Sequence, residues 1–151
     1  MPTSHAPAVR TANALVRRRR DDAVLMTLPA DHTGRPRFRL PAVALGDHES
    51  PAHGAKRALQ EETGLQAAAT QHLVEQQIPP TEPGQPAALT IVIDCGSMTD
   101  DVHTPLPPCA DGRFAYAWVT RHMLERLCEP HQARLVEAAL DAPAHGGLAE
   151  L

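Results

Sequence analysis

One α/β domain, with helices laid over a sheet, is what the sequence predicts, and three observations carry that reading. Strand-like apolar runs alternate with helical patterns along 151 residues. One of the helices, in the middle of the chain, has a clear start signal and a clear stop signal. No repeat, low-complexity tract or compositional break divides the chain, so residues 1–151 read as a single domain with a core of about residues 10–141, a short flexible N-terminus and a loose C-terminal tail.

The elements follow in order. Residues 12–18 read as a strand, and the Asp21–Asp22 turn leads into "AVLMTLP", which makes a hairpin. "DHTGRP" is a loop. "RFRLP" reads as a short alternating strand, with Arg37 and Arg39 on one face and Phe38 and Leu40 on the other. "AVALGDHE" has no period and reads as a connection. Ser50 then caps a helix with Pro51 at its first position, and Gly64 lies just past its end. "QHLVEQQI" and "ALTIVIDC" are further strands joined by the Pro-rich "PPTEPGQP". The loop "DDVHTPLPPCADG" precedes a strand, "RFAYAWV", and two helices follow near residues 120–127 and 130–141.

Composition excludes several classes. An apolar fraction of 42% and a charged fraction of 21% fit a globular chain. No apolar run reaches membrane-spanning length, and "MPTSHAPAVR" lacks the apolar core of a secretory signal. Cys95, Cys109 and Cys128 are odd in number and widely spaced, which argues for reduced thiols and a cytoplasmic location. None of the nine histidines falls in a paired ligand spacing. The net charge of −4 hides an asymmetry: residues 1–40 hold eight arginines against three aspartates. Such a basic edge can serve a phosphate-bearing small molecule. Nothing in it is specific for nucleic acid, and Arg17 to Arg20 point to both faces of a strand end, as solvated residues do.

The capped helix holds the most informative residues. With about 100° per residue, Ala55, Ala58 and Leu59 form its buried stripe. Glu62 falls at the edge of that stripe, where a carboxylate needs a positive partner, and Glu61 falls on the other side of Ala58. Arg57, four residues before Glu61, is the partner that spacing offers. The same pattern suits a surface Arg–Glu pair or a site in which two clustered carboxylates hold Mg²⁺.

A resemblance separates these. "LPAVALGDHESPAHGAKRALQEETGL" resembles a Nudix box, here residues 43–65. Glu49 stands at the first glutamate of that motif, and Arg57, Leu59, Glu61, Glu62, Gly64 and Leu65 follow in register without an insertion. The hairpin before the box and the "FAYAWVTRHMLERL" segment after it also resemble the family in element order. The resemblance implies an α/β/α sandwich with a mixed central sheet. It implies Mg²⁺- or Mn²⁺-dependent hydrolysis of a nucleoside diphosphate or other diphosphate-linked compound, in which Glu49, Arg57, Glu61 and Glu62 serve catalysis. By the same resemblance Glu61, Glu62 and the Ala42 carbonyl would hold the metal.

The departures from the motif carry equal weight. Ala58 stands where the family places a glutamate that binds metal or activates water. Ala42, Val43 and Ala44 replace the glycine-rich loop, and a Cβ penalises the positive-φ conformations that glycine allows. The metal is therefore expected to bind weakly and hydrolysis to be slowed. A replacement acid could come from Asp47, Asp94, Asp100 or Asp101, although each also suits a turn or a strand end. Arg37 and Arg39 are candidates for holding an anionic substrate. Two readings result: a weakened metal-dependent hydrolase, or a ligand- or partner-binding module on the same fold. A weaker third is an accessory protein whose substrate is not a nucleotide, since Trp118, Phe114 and Phe38 read as core residues rather than base platforms. A homodimer is compatible with either main reading.

Overall fold

The computed structural model describes residues 9–80, 82–98, 113–142 and 149–150. Its centre is a mixed sheet of seven strands. They are β1 (Val9–Arg18), β2 (Ala23–Pro29), β3 (Ala42–Ala44), β4 (Gln71–Ile78), β5 (Ala88–Met98), β6 (Phe114–Val119) and β7 (Ala149–Glu150). The strand order is β6-β2-β1-β5-β4-β7, with β3 also paired to β1. The β1–β5 and β4–β7 pairs are parallel and the other pairs antiparallel. Helix α1 (Pro51–Thr63) covers one face, while α2 (Leu124–Leu127) and α3 (Pro130–Leu140) cover the other.

Strand alternation builds these layers. Ala14, Val16 and Leu25 join Ala55 and Leu59 beneath α1. Their neighbours Leu15, Val24 and Met26 join Leu124, Leu135 and Val136 on the opposite face. The predicted α/β/α sandwich is the observed fold. No helix among the described residues is long and apolar enough to cross a membrane.

The start and stop signals of α1 act as expected. The Ser50 hydroxyl accepts from the His53 amide at 3.1 Å. Gly64 adopts φ 75° and donates its N–H to Gln60 O, a conformation that favours glycine. Beneath the helix β1 presents Ala12 and Ala14, so α1 approaches closely there. A Cβ built on Gly54 would overlap Leu45 Cδ2 and lie 3.2 Å from Ala12 Cβ. Gly54→Ala is therefore expected to destabilise the fold by about 1 kcal/mol, because the overpacking exceeds the helix propensity gained. A denaturant midpoint at or above the parent's would show that Leu45 moves aside freely.

Several segments differ from the sequence prediction, and β1 already begins at Val9, three residues before the predicted start. "RFRLP" is not a strand: within it only Arg39 forms a bridge, to Thr27. The next three residues, read as part of a connection, form β3 instead. Antiparallel pairing with β2 involves only Arg17 and Arg18 of β1, so the N-terminal half of β1 takes Ala42–Ala44 as its neighbour. β5 runs three residues beyond the predicted end, to Met98. Ala149–Glu150, assigned to the loose tail, pairs with β4. The predicted loop with Asp100, Asp101 and Cys109 lies outside the described residues.

Candidate functional site

The box residues gather along α1 and its approach, beside β3, with Thr27 of β2 reaching the last turn of the helix. Glu49 and Arg57 form its brace. Arg57 Nε and Nη2 each donate to the Glu49 carboxylate at 2.9 Å. Nη2 also reaches Ala44 O at 3.0 Å, and Nη1 lies 3.4 Å from Glu61 Oε1. The Gly46 amide and His53 Nδ1 complete the shell around Glu49, at 3.2 Å and 2.6 Å. These donors, the Arg57 guanidinium first, hold the Glu49 carboxyl down at about 2, well below the usual carboxylate range. Arg57 is thereby committed to joining the loop before α1, β3 and the helix itself.

Glu62 is buried, with 4% of its side chain exposed. Its Oε1 accepts from the Thr27 hydroxyl at 2.6 Å. Its Oε2 accepts from Arg39 Nη2 at 3.1 Å and from the Ala42 amide at 3.2 Å. The positive partner that burial demands is therefore Arg39, not Arg57. Glu61, one residue earlier, turns outward and is 49% exposed. Ala58 lies fully buried one helical turn before Glu62 and brings no oxygen.

Arg37 and Arg39 part company because the chain between them is not a regular strand. Arg39 faces α1, whereas Arg37 lies 2.8 Å from Glu129, the residue capping α3. Arg39 Cζ also sits over the Phe114 ring, 5.9 Å from its centre. Tyr116 is the cross-strand neighbour of Thr27 on β6, and Tyr116 and Trp118 pack partly buried on the α1 side. Phe38 packs against the opposite core. Thr27 carries no motif signal in the sequence and joins the site through the pairing of β2 with Arg39.

The arrangement does not fit a divalent-metal centre as it stands. Mg²⁺ demands near-octahedral oxygen donors. Glu62 already accepts three hydrogen bonds, one of them from a cation, and Glu61 points elsewhere. The Ala42 amide, not its carbonyl, is the group directed at Glu62. Asp47 is exposed in the loop before α1. Asp94 lies on β5 between Ile93 and Cys95, which face α1, and so points to the opposite face, its Oδ1 accepting from the Gly96 amide at 2.9 Å. Among the described residues no group of three or more His, Cys, Asp or Glu side chains could hold a metal. Cys95 and Cys128 are buried free thiols, each pushed up to about 11 by burial, and stay protonated at neutral pH.

A mixed sheet between helices, with a Glu–Arg brace tying the first helix to the loop before it, is the Nudix architecture. The model of the NUDIX domain matches residues 7–139, and the chain belongs to that family. Among solved structures it is similar to the MutT protein from Methanosarcina mazei Go1, at 20% identity over 91% of this chain and 96% of that one, with a TM-score of 0.66. It is similar to an ADP-ribose pyrophosphatase from Streptococcus suis 89-1591, at 14% identity over 95% and 98%, with a TM-score of 0.68. It is also similar to the NUDIX domain of Shewanella oneidensis NrtR complexed with ADP ribose, at 16% identity over 93% and 92%, with a TM-score of 0.63. At these identities the likeness concerns the fold. No sequence among curated proteins matches this chain.

Proposed function

We propose that the protein is a Nudix-fold binding module for a diphosphate-linked small molecule, with metal-dependent hydrolysis lost or strongly slowed. One observation carries this reading: both oxygens of Glu62 are engaged, by Thr27, Arg39 and the Ala42 amide. Loss of a metal ligand or catalytic base commonly costs two or more decades in rate. Here Ala58 removes one such group and Arg39 engages another. An anion can still be recognised. The Arg39 side chain is 37% exposed and stands over Phe114, which offers a charge and a ring side by side.

ADP-ribose is the natural first probe, since it joins a diphosphate to a planar base. Calorimetric titration in EDTA should give saturable binding, and incubation with Mg²⁺ should leave the compound intact over many minutes. Rapid Mg²⁺-dependent cleavage to AMP would overturn the reading in favour of a hydrolase. Glu61, half exposed and linked to Arg57, favours a second reading in which a weakly held Mg²⁺ or Mn²⁺ supports slow turnover. Slow cleavage that disappears in Glu61→Gln would identify it.

A further inference from the structure

We propose that Arg39 is a resident cation that fills the carboxylate pocket of the box and keeps divalent metal out of it. The guanidinium is positioned by the fold rather than by one contact. Arg39 and Thr27 exchange two backbone hydrogen bonds, of 2.7 Å and 2.9 Å, so both side chains are presented together to the last turn of α1. Thr27, fully buried, takes one oxygen of Glu62, and Arg39 takes the other. Arg39 Nη1 is anchored on Leu40 O at 3.0 Å, and the Phe114 ring backs the guanidinium at 5.9 Å.

A buried carboxylate requires a counter-charge, and either a metal or a guanidinium can supply it. Two residues decide between them here. Ala58 withholds an oxygen that would tighten the hold on a divalent ion, and Arg39 brings a positive charge that requires no further donors from α1. The two features act together: the helix brings no acid at Ala58, and the segment before β3 brings a cation to Glu62. A guanidinium is always protonated and cannot be stripped by a chelator. The charge of the pocket thus becomes independent of metal supply.

This inference rests on the reading of the box as a centre without hydrolytic metal. Testing it with Mn²⁺ alone keeps its failure distinct from any failure to bind a ligand. Melting curves are recorded in EDTA and in about 5 mM Mn²⁺ for the parent, Glu62→Gln and Arg39→Met. The parent should respond little, and Glu62→Gln should respond as the parent does. Arg39→Met, with its carboxylate uncovered, should melt about 5 °C or more higher in Mn²⁺ than in EDTA. Arg39→Met gaining no response would overturn the proposal. So would a parent response that Glu62→Gln abolishes, a comparison that holds even if Arg39→Met does not fold.

Discussion

Ala58→Glu should lower stability by about 3 kcal/mol, because it forces a long charged side chain into a site where the alanine is fully buried. The new carboxylate would lie one turn before Glu62, itself buried, so two acids would compete for the single guanidinium of Arg39. For a chain of this size the melting temperature should fall by roughly 6–12 °C in EDTA. While Arg39 stays on Glu62, Mn²⁺ should restore only part of that loss. In the double variant with Arg39→Met, the helix carries its full set of acids and the competing cation is gone. Mn²⁺ should then recover most of the stability, since an ion that binds only the folded state stabilises it by mass action. Equal metal recovery in the single and double variants would show that Arg39 is irrelevant to the pocket.

Arg57→Ala should cost about 2 kcal/mol. The variant leaves Glu49, only 12% exposed, without its two-pronged partner, and it leaves Ala44 O without its donor. The loss is smaller than for a fully buried pair because Arg57 is itself 36% exposed. Acidification gives a distinguishing signature. The Glu49 carboxyl is held at about 2 in the folded protein, against 4.5 for an ordinary glutamate. Its contribution is therefore complete above about pH 4.5 and disappears as the pH falls toward 2. The parent should lose stability across that window more steeply than Arg57→Ala, so the two should converge at the acid end. Parallel urea midpoints from pH 6 to pH 2 would show that the brace contributes nothing. Arg57→Lys should recover only part of the loss, because an ammonium cannot make the paired contact.

Glu49, Arg57, Ala58, Glu61 and Glu62 could be placed from the chain alone because they lie on one helix and its approach, where spacing converts directly into angle. That geometry already put Glu62 at the edge of the buried stripe and Glu61 elsewhere. The identity of the partner of Glu62 was beyond it. Thr27 and Arg39 reach Glu62 across 35 and 23 positions of sequence, through a single bridge inside an irregular segment. An isolated bridge has no period to read. The same limit hid β3, whose three residues are too few to show alternation, and it separated Arg37 from Arg39, which an assumed strand had put on one face. The longer strands and α1 were readable because their apolar periods and caps repeat one message over several residues.

The parallel pairing of β1 with β5 also bears on how the chain acquires its shape. Asn13, buried on β1, donates through Nδ2 to Ile91 O at 3.0 Å, a contact spanning 78 positions. During synthesis the hairpin with β2 and the short β3 pairing can form early, but the opposite edge of β1 stays open until β5 has emerged. Closing so long a loop is entropically costly, and non-local pairing of this kind slows folding. Until then the nascent chain exposes an unpaired apolar edge, "ANALV", to neighbouring chains. Truncations that end before residue 88 should therefore aggregate rather than fold, while the interval before β5 emerges is the stage at which a chaperone would matter most.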